Sequence, residues 1–220
     1  MKYTAVAFDL DGTLYPAYRL NLRLIPFGFK NICLLRAMGR VRTLLRRTGA
    51  YEADFYELQA RLMAEILNKD PQKVREDNER LIYRGWEPFF KEIELFPRVR
   101  ETLRAFREAG IRMGLLSDFP PEKKLENLGL ADCWDAVICS EQVGRLKPDS
   151  APFLELARRM GAAPRDMLYV GNSLSYDVEG ACRAGMKAAL IRPWWKKTPF
   201  TAEQVFVFYD YRQLHDFVLH

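Results

Sequence analysis

The chain has 220 residues, 49% of them apolar, and a net charge of +5, which suits one large domain, or a core with a smaller satellite, around a sizeable buried core. No apolar run reaches the roughly 18 uncharged residues of a membrane-spanning helix, and the first residues lack the pattern of a secretory leader. Cys33, Cys133, Cys139 and Cys182 are scattered without metal-type spacing, which points to free thiols in a reducing cytoplasm rather than a disulfide framework.

In chain order, Ala5, Val6, Ala7 and Phe8 form an uninterrupted apolar run, the pattern of a buried strand. From residue 16 to 93 the pattern is helical. "FKNICLLRAMGRVRTLLRR" spaces Ile32, Leu35, Met38, Val41 and Leu45 at helical intervals. A break at Thr48-Gly49 precedes a second stripe, Phe55, Leu58, Leu62 and Ile66. Asp70-Pro71 then reads as an N-cap and first helical residue, opening a helix to about Tyr83. After residue 94 the pattern alternates. "VRETLRAFREAG" is a helix stopped by Gly110, and "IRMGLLSDF" is a strand. "PEKKLENLGL" is a helix, "DAVICS" a strand, "APFLELARRMG" a helix, "DMLYVGNS" a strand and "YDVEGACRAG" a helix. "KAALIRP" and "VFVFYD" are strands. Alternating strands and helices with short links predict a doubly wound parallel sheet. The expected architecture is an α/β, Rossmann-like core of residues 1–15 and 94–220, interrupted by an all-helical insertion of residues 16–93.

Charge is uneven along this plan. Residues 12–51 hold eight Arg or Lys and no Asp or Glu, while the rest of the chain sums to −3. A surface of one sign suggests an anionic partner; a small phosphorylated metabolite, nucleic acid and an anionic membrane surface all qualify, and charge alone does not choose. No recognisable module accompanies the basic residues, so nucleic acid is not expected. The amphipathic "RLIPFGFK" region is assigned to core contacts rather than to a membrane surface. "RPWWKKTPF", residues 192–200, is expected to be a loop whose Trp194 and Trp195 pack on the core. The sequence specifies no oligomeric state.

Ligands of open α/β sheets bind beyond the carboxyl ends of the strands. Asp9 and Asp11, Ser117 and Asp118, Asn172 and Asp177, and Lys147 in a loop all fall there. Two carboxylates one residue apart on an extended chain point the same way. Together they suit a hard cation such as Mg²⁺, or one can attack phosphorus while the other moves protons. Gly12 lets the backbone pass close under an anion and offers its amide to a phosphate oxygen. Gly12, Thr13 and Asp118 are the candidate substrate-contacting positions.

"FDLDGTL", the Ser ending "MGLLS", the Lys-Pro of "GRLKPD" and "VGNSLSYDVEGACRAGM" resemble, in order, the four motifs of the haloacid dehalogenase superfamily. That resemblance implies a Mg²⁺-dependent phosphatase working through an aspartyl-phosphate, with the helical insertion as a C1-type cap. It implies Asp9 as nucleophile and Asp11 as the group that protonates the leaving oxygen and then activates water. Ser117 would donate to the phosphoryl group, and Lys147 would neutralise charge on nucleophile and phosphate. Asp9, Asp11, Asn172 and Asp177 would be the metal-binding set. Asp11 argues against a true dehalogenase, because a halide leaves without a proton. A phosphosugar mutase or phosphotransferase, or a catalytically weak anion-binding homologue, are the alternatives. Two positions depart from the family pattern. Asn172 stands where the last motif usually has Asp, and Asp118 where the second usually has Asn. Asp118, or a shifted Asp177, restores the missing charge near the metal, or Asp118 faces away and caps the helix beginning at Pro120.

Overall fold

Strand β1 (Ala5–Phe8) is buried along its whole length. In the computed structural model, which describes residues 3–48, 54–195 and 205–220, the chain then becomes helical. α1 (Ala17–Arg23), α2 (Ile25–Lys30), α3 (Ile32–Thr48), α4 (Phe55–Leu67) and α5 (Pro71–Asp77) follow, with a π turn at Asn78–Tyr83 and a 3-10 turn at Glu87–Glu92. Asp54 caps α4 by accepting from the Glu57 amide at 3.0 Å, and Asp70 caps α5 at the Lys73 amide, also at 3.0 Å. Each satisfies a helix-start donor that would otherwise lack a partner. Met38, Val41 and Leu45 of α3 meet Phe55 and Met63 of α4 in a core of the insertion's own, which also takes in Leu146 and the edge of Phe119 from the α/β part. Ile32, placed on the same stripe by spacing, is exposed.

The remainder alternates: α6 (Val99–Glu108), β2 (Arg112–Ser117), α7 (Glu122–Leu128), β3 (Ala136–Cys139), α8 (Ser140–Val143), α9 (Ser150–Met160), β4 (Met167–Gly171), a π turn at Leu174–Val178, α10 (Glu179–Arg183), β5 (Lys187–Ile191), β6 (Val205–Phe208) and α11 (Tyr211–Leu219). The six strands form one sheet in the order β3-β2-β1-β4-β5-β6, every pair parallel. Strand alternation sorts the core into two layers. Val6, Phe8, Leu115 and Val170 face one side, and Ala5, Ala7, Leu116 and Tyr169 the other. The expected doubly wound sheet is present, and its strand order reverses between β1 and β4, where a crevice opens above the carboxyl ends.

Two helices were not anticipated, the short α8 directly after β3 and a terminal one. The sequence reading ends on the last strand, but α11 follows it, started by Asp210 accepting from the Arg212 amide and buried through Tyr211, Leu214 and Val218. The Tyr211 hydroxyl donates to the Thr13 carbonyl at 2.7 Å, so this helix braces the turn after β1.

Candidate active site

At the end of β1, Asp9 is nearly buried. One of its carboxylate oxygens accepts from the Lys147 ammonium at 2.6 Å and the other from the Thr13 hydroxyl at 2.7 Å. Lys147 Nζ also donates to Asp177 at 2.7 Å. Residues from beyond three strands, β1, β3 and β4, therefore converge within hydrogen-bond distance of one another. Burial pushes the Asp9 carboxyl up to about 7, against the pull of Lys147. Burial works against the charge on Lys147 too, but Asp177 and Asp9 hold its ammonium well above its ordinary range.

Asp177 plays a local part as well. Its second oxygen accepts from the backbone amides of Asn172 at 3.1 Å and Ser173 at 2.9 Å. That closes the turn after β4, and a Cβ on Gly171 would lie 2.3 Å from the Asp177 Cβ. The Asn172 side chain presses on Gly12: a Cβ there would lie 2.1 Å from Asn172 Nδ2, and Gly12 has φ +90°, where other residues are strained. Among the described residues no three His, Cys, Asp or Glu side chains converge as a metal cluster. A hard cation at this end of β1 has the two carboxylates Asp9 and Asp11 and the Asn172 amide carbonyl to draw on, an all-oxygen set that suits Mg²⁺. Every carboxylate oxygen of Asp9, Asp11 and Asp177 already accepts a hydrogen bond, so a cation there would share these oxygens with Lys147, Thr13 and Lys124.

Asp11 is engaged by two residues that sequence reasoning missed. Lys124, from the first turn of α7, donates to both its oxygens, at 3.0 and 2.7 Å, and the Tyr15 hydroxyl donates to one of them. Lys124 lies over the ring of Phe90 at 5.1 Å. The signal was available: α7 begins just beyond the carboxyl end of β2, where the strand-end rule places ligand-facing residues. Ser117 is buried, and its Oγ accepts from the Phe119 amide at 3.2 Å, which leaves its proton free to donate.

Asp118 caps no helix: α7 starts at Glu122 with no side-chain cap. Its carboxylate instead meets two cations of α3, Arg46 at 2.7 Å and Arg42 at 3.7 Å. Its other oxygen accepts from the Lys147 amide at 3.1 Å, while Arg46 Nε donates to the Lys147 carbonyl at 2.9 Å. The lysine's backbone is thus held on both sides, at its carbonyl by Arg46 of the insertion and at its amide by Asp118 of the core, itself paired with that arginine. Burial opposes the charge on Asp118, but Lys147, Arg42 and Arg46 hold its carboxyl below the usual range. Arg42 is buried, stacks over Phe119 at 4.0 Å and donates to Glu141 of α8. Tyr83 donates to the same Glu141 oxygen at 3.2 Å, and the other Glu141 oxygen is buried without a hydrogen-bond partner among the described residues.

Burial pushes the Glu141 carboxyl up to about 7 in spite of Arg42. A carboxyl raised on folding contributes stability that is complete below its unfolded value and fades as pH climbs through the folded one. The wild type's melting temperature is therefore expected to fall between about pH 4.5 and 7, and Glu141→Gln is expected to flatten that fall. Thermal melts across that window check it, and an unchanged slope would refute the assignment to Glu141.

The Trp pair also departs from expectation. Trp194 and Trp195 are exposed, and with Tyr18 they line a cleft of about 510 Å³ that reaches Gly12 and Asn172. Lys196 and Lys197 lie outside the described residues.

Comparisons with known proteins agree with this geometry. The family model "Hydrolase: haloacid dehalogenase-like hydrolase" matches residues 3–185. A glyceraldehyde 3-phosphate phosphatase of Methanopyrus kandleri is 30% identical over 86% of this chain and 83% of its own. A ribulose-1,5-bisphosphate 5-phosphatase of Halopiger xanaduensis is 30% identical over 86% and 85%. Among solved structures, a HAD phosphatase from Thermococcus onnurineus superposes with a TM-score of 0.68 at 25% identity, covering 98% of both chains. A 2-haloacid dehalogenase from Pseudomonas syringae gives 0.69 at 24% identity over the same coverage.

Proposed function

The chain belongs to the haloacid dehalogenase-like hydrolase family, and from that membership we propose that it is a phosphoric monoester hydrolase acting on a small phosphorylated metabolite, with Asp9 as nucleophile. The observation that carries the reading is the Asp9 carboxylate held between the Thr13 hydroxyl and the Lys147 ammonium, with Asp11 two residues away. The matched relatives support it, since they are named as phosphatases of short phosphorylated compounds.

Asp9 attacks phosphorus through the oxygen now on Lys147, and an aspartyl-phosphate forms as the P–O bond to the alcohol breaks. Asp11 gives a proton to the departing oxygen and then takes one from the water that hydrolyses the acyl phosphate. Lys124 and Tyr15 orient Asp11 for both transfers. Lys147 offsets the charge gathered between Asp9 and the phosphoryl oxygens, and the Ser117 hydroxyl and Gly12 amide donate to those oxygens. Mg²⁺, held by Asp9, Asp11 and the Asn172 carbonyl, would supply further positive charge against the phosphoryl group. Asp11 separates this reading from a dehalogenase, whose halide needs no proton.

The alcohol's place is a crevice of about 460 Å³ where Tyr83, Trp86 and Phe90 of the insertion face Phe119 and Lys124. It adjoins the ammonium that holds Asp11. None of the eight cations between residues 12 and 51 lines it, and Arg42 and Arg46, which do approach the site, are already paired with Glu141 and Asp118. The helical insertion acts as the cap over this crevice. The cysteines are free, which supports placement in a reducing cytoplasm.

A panel of phosphomonoesters with Mg²⁺ tests the proposal through release of inorganic phosphate. Release is expected from at least one small ester, to stop on chelation with EDTA, and to return when Mg²⁺ is restored. Absence of phosphate release across the panel would overturn the reading. Phosphate moved to a second sugar without release would identify a transferase instead.

A further inference from the structure

Tyr18, Leu22, Ile25, Phe29 and Ile32 recur at intervals of four, three, four and three residues across α1, α2 and the start of α3, the spacing of one helical face. That face is turned outward. Phe29 is 79% exposed, Tyr18 61% and Leu22 60%, and Ile25 and Ile32 are also exposed. The inner face is supplied by other residues: Leu20 is buried, and Phe27 packs edge-on against Trp86 at 6.4 Å. Single exposed apolar residues are ordinary, but five in one stripe are not.

Two further features adjoin the stripe. Tyr18 shares the 510 Å³ cleft with Trp194 and Trp195, 75% and 67% exposed, so the apolar surface extends onto an aromatic edge. Basic residues continue along the helical side. Lys30, Arg36 and Arg40 are exposed and form no ion pair among the described residues. No acid occurs between residues 12 and 51, and the neighbouring Glu92 and Glu94 are taken up by Arg23 and Arg19.

We propose that this stripe, with the Trp194–Trp195 edge and the cations Lys30, Arg36 and Arg40, seats the protein on an anionic phospholipid surface. Apolar side chains enter the boundary between headgroups and acyl chains, lysines and arginines meet lipid phosphates, and Trp and Tyr favour the same boundary because one end of each is apolar and the other polar. Among the described residues no helix is long and apolar enough to cross a membrane, so the attachment is peripheral. A second copy of the chain fits less well. A two-fold contact sets a surface against itself, and here it would oppose cation to cation with no acid in the stripe to answer them.

Co-sedimentation of the whole protein with vesicles tests this. Binding is expected with phosphatidylcholine vesicles containing phosphatidylserine, not with phosphatidylcholine alone, and is lost in high salt. Combined Lys30→Gln, Arg36→Gln and Arg40→Gln should weaken it about 100-fold, at about fivefold per charge. Leu22→Gln with Phe29→Gln should abolish it at unchanged melting temperature, since both residues are exposed. Failure of the wild type to sediment with phosphatidylserine vesicles at low salt overturns the proposal. So does undiminished binding by the Leu22/Phe29 variant, which would leave only general attraction to polyanions. Light scattering that shows a dimer dissolved by those two substitutions would assign the stripe to a second copy instead.

Discussion

Asp9→Asn is expected to lower phosphate release by ~10⁴-fold or more, the scale of losing a covalent nucleophile, with little change in melting temperature. The two effects separate because the residue's packing and its chemistry depend on different properties. An asparagine carbonyl still accepts from Thr13 or Lys147, and Lys147 keeps Asp177 as its counter-charge. Burial already disfavours the ionised form of Asp9, whose carboxyl stands at about 7, so a neutral replacement is tolerated. It cannot attack phosphorus. Release of nitrophenol from an aryl phosphate, measured beside a thermal melt, checks both halves. Near-wild-type turnover in this variant would remove Asp9 from the reaction.

Lys147→Met should damage both activity and stability. Asp9 and Asp177 would remain buried together without the cation between them, and breaking a buried pair by removing one partner costs about 3–5 kcal/mol. Loss of charge neutralisation at the phosphoryl group should lower kcat by ~10³-fold. The pH dependence has a definite sign. Without the ammonium the Asp9 carboxyl rises further, and a carboxyl raised on folding loses its contribution as pH rises through the folded value. The deficit in melting temperature relative to wild type should therefore widen from about pH 5 to about pH 8. Lys147→Arg is not expected to restore activity, because a planar fork does not fit where a single ammonium bridges two carboxylates. A deficit that narrows with pH would contradict the arrangement of Asp9, Lys147 and Asp177.

Much of this was legible in the chain because strand-end placement is a local property. The apolar run before Asp9, and the short strands before Ser117 and Asn172, fix which residues stand above the sheet, and parallel pairing brings them into register. The terminal helix carries a readable cap and stripe, Asp210 with Tyr211, Leu214 and Val218, but its nine residues fall short of the roughly 11–18 over which a helical period is legible. What the sequence did not carry was partnership across the insertion. Arg42 and Glu141 are 99 residues apart, and no local pattern tells which arginine of a basic helix comes down on which loop. For the same reason Asp118 read as a metal-side charge or a cap and emerged as the partner of Arg46. The stripe from Tyr18 to Ile32 shows the opposite failure: its period is plain, but period alone does not say whether a face looks inward or out.

The contact of α3 with the Lys147 loop ties the insertion to the reaction centre. Asp9 is only 6% exposed, and the ammonium it faces stands on a backbone whose carbonyl accepts from Arg46 of α3 and whose amide donates to Asp118, itself paired with Arg46 and Arg42. Residues of the insertion that never meet an ester are therefore expected to govern how fast one is turned over, so substrate choice and catalytic vigour are not free to vary separately.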